Sequence, residues 1–117
     1  MKDNIENIIK KHIASDKIIE SVSMTTDFKT HNKEMKKLNE LVLSISHDRE
    51  MCKIVYGRLL KSENAVTLLN AASECLKLNI YLKEAKKILK ELAKRKDIGI
   101  ISFNAKMMLE VMKENSN

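Results

Sequence analysis

Apolar residues recur at intervals of three and four along nearly the whole chain, the spacing of successive amphipathic helices. Ile5, Ile8, Ile9 and Ile13 form the first stripe, which Asp3 opens with Glu6 three residues on as a capping pair. Ser15 or Asp16 then restarts a second, short helix carrying Ile18, Ile19 and Val22. Ser23 to Thr30 reads as a helix end and loop with Phe28 tucked inward. A third helix over about residues 31 to 45 puts Met35, Leu38, Leu41, Val42 and Ile45 on one face. Ser46 is the expected N-cap of a fourth, with Asp48 and Glu50 in the first turn, where carboxylates oppose the helix dipole favourably. That helix carries Met51, Ile54, Val55, Leu59 and Leu60. Ser62 repeats the device, with Glu63 behind it, ahead of a fifth helix holding Val66, Leu69, Ala72, Cys75 and Leu76. Asn79 follows as a cap or turn residue. The sixth helix runs to about Lys96 with Tyr81, Ala85, Ile88, Leu89 and Leu92 inward. Asp97 caps the last, whose Ile101, Ala105, Met108, Leu109 and Met112 are spaced alike.

Helices of this length joined by short turns pack as antiparallel neighbours. The pattern therefore predicts an all-α fold of about six or seven helices. Its arrangement is a short stack of antiparallel helix pairs, a HEAT-like α-solenoid, with a closed bundle as the alternative. Residues 1–117 make one domain: an N-terminal helical segment over 1–26, helix pairs over 27–114 and a disordered tail over 115–117. Composition agrees, since the chain has no Pro and only two Gly, too little punctuation for an all-β fold. Gly57, inside the fourth helix, costs about 1 kcal/mol against Ala, which a close helix crossing would explain.

Charge adds a partner class. The formal net charge is +6, which favours an acidic protein, a nucleic acid or an anionic surface. Much of it lies between positions 83 and 96, where Lys83, Lys86, Lys87, Lys90, Lys94, Arg95 and Lys96 stand against Glu84 and Glu91. Lys83, Lys86, Lys87, Lys90, Lys94 and Arg95 are the candidate partner-binding residues; the plain alternative is a solvated helix face with Glu–Lys pairs. Glu40, Asp48, Glu50 and Glu63 are candidates for the opposite task, pairing with a basic partner, or else helix caps. Met107, Met108 and Met112 suit an adaptable binding surface or an irregular core; Met108 and Met112 fall on the apolar face and Met107 off it.

The remaining chemistry is sparse. His12, His31 and His47 are far apart, and no HExxH, CxxC or paired Cys/His spacing occurs, so neither a catalytic site, a metal nor a cofactor is expected. Ser46-His47-Asp48 is a string in sequence, not a triad in space. Cys52 and Cys75 each sit in a helical apolar pattern and read as buried free thiols rather than a disulfide. Phe28, Tyr56, Tyr81 and Phe103 are the only aromatics, three of them expected on core faces, which leaves little for stacking on bases. Met1-Lys2-Asp3-Asn4 lacks a signal-peptide pattern and no apolar run approaches a membrane span, so a cytoplasmic protein without a membrane partner is expected.

Three segments carry a family resemblance. His31-Asn32-Lys33 opens a basic helix that reaches Leu38 and Leu41; Ser62 to Leu78 is built on Ala71-Ala72 and closed by Leu76; Ala85, Ile88, Leu89 and Leu92 precede Phe103-Asn104-Ala105 and Leu109. Together, over about Asp27 to Lys113, they resemble a family of small bacterial HEAT-like helical proteins. Many of these are encoded beside polymorphic toxins of the contact-dependent growth inhibition type and are regarded as immunity proteins. Where such proteins often carry an Arg before the double alanine and a Trp in the final helix, this chain has Val66-Thr67-Leu68 and Val111-Met112. The resemblance implies a non-enzymatic protein that binds a cognate toxin domain, possessed of nuclease or other activity, and blocks its active site. A helical-repeat adaptor and a basic nucleic-acid-binding module are the alternatives.

Overall fold

The computed structural model describes residues 2–23 and 25–115, with side chains for 4–23 and 25–113. The side chain of Asp3 and residues 116–117 of the expected tail lie outside these. Six helices and no strand occur among the described residues: α1 (Lys2–Val22), α2 (Phe28–Ile45), α3 (Arg49–Leu59), α4 (Ala65–Leu78), α5 (Leu82–Lys94) and α6 (Ile100–Asn115). Asn115, expected in a tail, closes α6.

The N-terminal segment is one helix, not two. Ser15 and Asp16, which read as a restart, share an inward stripe with Ile9, His12 and Ile19, and all five are buried. A polar patch on a core face mimics a cap. The next helix starts earlier than its apolar pattern, at Phe28, because the Asp27 carboxylate accepts the Thr30 N–H at 3.0 Å. Phe28 then stands at the first helical position, a quarter-turn away from the Leu38–Ile45 face, and is 69% exposed instead of tucked in. The next two caps sit two residues past the expected serines. Asp48 accepts from Met51 N–H at 3.1 Å and Asn64 from Thr67 N–H at 2.9 Å. Ser46 ends α2, and the Ser62 hydroxyl accepts the Asn64 N–H. Asp97 is not a cap either: it takes two hydrogen bonds from Arg95, at 3.0 and 2.7 Å, and α6 begins after Gly99, whose φ is +52°.

The helices form three pairs in a short stack. The hairpins α1–α2 and α5–α6 flank the middle pair α3–α4, and α4 packs on both, touching α1 on one side and α5 and α6 on the other. This role explains its composition. Ala65, Val66, Leu69, Ala71, Ala72 and Cys75 are buried on several sides of α4, and the small residues let its neighbours approach closely. The molecule measures 39 × 36 × 23 Å, its thinnest dimension matching two layers of helices about 10 Å across each. No helix among the described residues is long and apolar enough to cross a membrane.

Both cysteines are free and buried. Burial pushes each thiol up, Cys75 to about 12, so neither is a ready thiolate. The glycine of α3 answers to a side chain and not to a helix crossing: a Cβ on Gly57 would meet the Tyr81 hydroxyl at 3.0 Å. Leu89 is fully buried where α5 meets the core, while Leu43 is 71% exposed. Leu89→Ala is expected to cost about 2–5 kcal/mol and Leu43→Ala less than about 0.5, read as the shift in urea midpoint at unchanged m-value.

Candidate partner-binding surface

Two clusters of residues stand out, one sealed and one open. The sealed one centres on His12. Its Nδ1 lies 2.7 Å from Asp16 Oδ2 and its Nε2 2.8 Å from Glu74 Oε2. Thr67 donates its hydroxyl to Asp16 Oδ2 and Asn70 its amide to Oδ1, both at 2.8 Å. The ring of Tyr56 meets the imidazole edge-on with centroids 6.3 Å apart. Helix spacing builds the cluster: His12 and Asp16 are one turn apart on α1, and Thr67, Asn70 and Glu74 follow one face of α4. Burial works against a charged imidazole here. The hydrogen bonds to Asp16 and Glu74 and the charges of both carboxylates overcome it and raise the His12 pKa to about 10. Burial, followed by the charge of Glu74, pushes the Tyr56 phenol upward as well.

This arrangement of acid, base and hydroxyl has the residue types of a catalytic site but not the access. His12 is 1% exposed and Asp16 and Thr67 are closed off entirely, so a substrate has no route to them. Both imidazole nitrogens are engaged by carboxylates and offer no lone pair to a metal. Among the described residues no group of three or more His, Cys, Asp and Glu is arranged to hold a metal ion. The cluster is a clamp between the first pair and the middle pair. Surface bonds reinforce it: Arg58 of α3 pairs with Glu6 of α1, and the Asn64 amide donates to Glu20 at 3.1 Å.

The open cluster is on the last pair. One face of α6, with Ile101, Ala105, Met108, Leu109 and Met112, packs on the core. A second stripe, Ile100, Phe103, Met107 and Val111, recurs at intervals of three and four on the outer side and is exposed, Phe103 to 58% and Val111 to 51%. A helix apolar on two faces can pack on both, and on α6 the outer one is exposed among the described residues. Beside the stripe, the end of α4, the start of α5 and the second half of α6 enclose an open groove of about 800 Å³. Leu76, Leu82, Met107, Met108, Val111 and Met112 form its apolar lining, and Lys77 and Lys86 are its charged residues.

The lysines proposed from sequence stand next to this groove. Lys83, Lys86, Lys87, Lys90 and Lys94 are exposed and fall within an arc of about 100° opposite the buried Ala85–Leu89–Leu92 face of α5. They form a ridge. Lys86 faces the methionine groove on one side, while Lys87 borders a second cleft against α3 with Arg58, Lys61, Glu84 and Glu91. Arg95 leaves the ridge: it lies past the end of the helix and is committed to Asp97. Met107 is exposed and Met108 and Met112 are half-buried, as their positions on the helix imply. Two of the four aromatics, Phe28 and Phe103, are exposed, against an expectation of one; Tyr56 is buried and Tyr81 half-buried.

From sequence the His12 cluster is missed, and of the open one only the methionines and Lys86 are named, although each has a signal. His12 and Asp16 lie at i,i+4 in register with Ile9 and Ile19, and the second α6 stripe has helical spacing of its own. In comparison with known proteins, the chain matches no family model, no curated protein and no solved structure.

The clamp sets a pH dependence. An imidazole at about 10 in the folded state and near 6.5 when unfolded contributes stability that is full below pH 6.5 and lost as pH rises towards 10. The unfolding free energy from urea titrations is expected to fall across that interval, by up to about 1.4 kcal/mol per pH unit, and His12→Gln to flatten the fall. Nitrogen-15 shifts of the wild-type imidazole should keep the doubly protonated pattern to pH 9.

Proposed function

We propose that the protein acts by binding and not by catalysis, as an immunity protein that neutralises a bacterial toxin domain in the cytoplasm. It would do so by covering the toxin's active site or its substrate path. The observation that carries this reading is the second apolar face of α6, solvent-exposed and continuous with a methionine-lined groove. Exposed apolar residues that cluster in this way mark interaction sites, whereas scattered ones do not. Among the described residues, five of the nine large exposed apolar side chains, Leu82, Ile100, Phe103, Met107 and Val111, belong to this one end of the stack.

The resemblance over residues 27–113 supplies the toxin as the partner, and the lysine ridge supplies the electrostatics. A stable inhibitory interface buries about 1,200–2,000 Å² in total, with a few central anchors providing most of the affinity. Phe103 and Met107 are suited to be anchors and the α5 lysines to be a rim that steers encounter. A +6 inhibitor fits a toxin with an acidic or mixed surface.

Co-expression with the toxin domain encoded beside this gene is expected to give a co-purifying complex and to restore growth. Phe103→Glu with Met107→Glu should abolish both while leaving the helical circular dichroism unchanged. Lys83→Glu with Lys90→Glu should slow association about tenfold, with a smaller effect on dissociation. A wild-type chain that neither co-purifies nor restores growth removes the toxin from this reading.

A further inference from the structure

We infer that the groove between α4, α5 and α6 receives one amphipathic helix of the partner protein, with acidic side chains flanking its apolar stripe. The inference rests on the binding function proposed above and adds what is bound and how.

Charge is the first argument. The groove has Lys77 and Lys86 and no carboxylate among its lining residues. The other two large clefts carry carboxylates of their own. The one between α1 and α2 sets Lys11 and Lys37 against Glu34 and Glu40, and Lys37 already bonds Glu34 at 3.0 Å. The one between α3 and α5 sets Arg58, Lys61 and Lys87 against Glu84 and Glu91. Of these three, and among the described residues, the methionine groove is the one that presents positive charge with no carboxylate in its lining. An apolar occupant with acidic edges supplies that answer, and charge complementarity of this kind selects partners more than it adds affinity. A second copy of the chain would bring the same two lysines to the same place, on a molecule already at +6.

Backbone chemistry is the second argument, and it selects a helix. An extended segment gains affinity by main-chain hydrogen bonds to a free sheet edge. The groove walls are α-helices whose main-chain groups are bonded within the helices, and the C-terminal carbonyls of α4 at Leu78 and Asn79 are already taken by Arg49. The walls offer an occupant few main-chain partners, which favours one that satisfies its own backbone, as a helix does. The methionines then mould to its apolar stripe.

The test uses the full chain with methyl-labelled methionine and two synthetic 16-residue helical peptides. Both carry leucine at intervals of three and four; one is flanked by glutamate and the other by lysine. The glutamate peptide is expected to bind with a Kd of about 0.1–1 mM and at least about tenfold more tightly than the lysine peptide. Methyl shifts should move at Met107, Met108 and Met112 and stay in place at Met35 and Met51. Lys77→Ala with Lys86→Ala should erase the preference, and Met107→Glu with Val111→Glu should erase binding. Equal affinity for the two peptides, shifts centred on Met35 or Met51, or no binding of the glutamate peptide at 1 mM overturns the inference. A concentration-dependent dimer in sedimentation that Met107→Glu with Val111→Glu abolishes gives the groove to a second copy and overturns it too. So does stronger binding to phosphatidylserine vesicles than to the peptide. None of these readings uses the toxin: a chain that restores growth but fails here keeps the proposed function and loses this occupant, and a chain that binds the peptide without restoring growth does the reverse.

Discussion

The stack is held at its centre by a charged imidazole. His12 reaches from α1 to Glu74 on α4 while Asp16 on its own helix holds the other nitrogen, and Thr67 and Asn70 saturate what remains of Asp16. No buried side-chain nitrogen or oxygen among the described residues lacks a partner. Completeness matters because a buried ion pair adds little net stability when intact, yet losing one member costs several kcal/mol. What such a network supplies is selectivity. Apolar stripes on α1 and α4 would tolerate sliding by a turn or rotation by a residue, whereas these directed bonds close in one register only. Everything downstream is placed by α4, which carries the first pair on one side and the last pair on the other.

The same polar network explains where the sequence is readable and where it misleads. Helices α2 to α6 can be located from apolar spacing alone, because Leu38, Val55, Leu69, Leu89 and Ala105 each sit centrally on a face that is buried. The first helix cannot, because Ser15 and Asp16 are polar residues doing a core residue's job, and the only local meaning of such residues is a cap. Caps are blurred for a related reason. Serine, aspartate and asparagine crowd each junction, and only geometry decides that Asp48 and Asn64 bond the first turn while Ser46 and Ser62 do not. Periodicity reports that Ile100, Phe103, Met107 and Val111 share a face, but not that this face is exposed among the described residues.

The basic stripe of α5 was the most visible surface feature, and the fold gives it a more modest place than a run of lysines suggests. Lys86 belongs to the methionine groove, Lys87 to a cleft it shares with Glu84 and Glu91, and Arg95 to Asp97. Exposed lysines on a high-dielectric surface add little binding energy one by one, but a ridge of them beside an apolar groove biases which molecules arrive. In the proposed complex, apolar area would then hold what the charge has brought.

The corner between α4 and α5 settles how the two walls of that groove differ. Asn79 and Tyr81 both take left-handed backbone conformations there, at φ of 60° and 48°. The bend is cross-braced from α3: Arg49 donates to the Leu78 and Asn79 carbonyls, the Tyr81 hydroxyl donates to the Lys53 carbonyl at 2.9 Å, and Gly57 leaves space for the phenol. Leu76 and Leu82, on either side of this bend, are thus fixed before anything arrives. The opposite wall is thioether side chains, each with three rotatable bonds. One rigid jaw and one pliable jaw would make a vice for the proposed guest: the first would lose little ordering entropy on binding, and the second would absorb mismatch in the guest's girth.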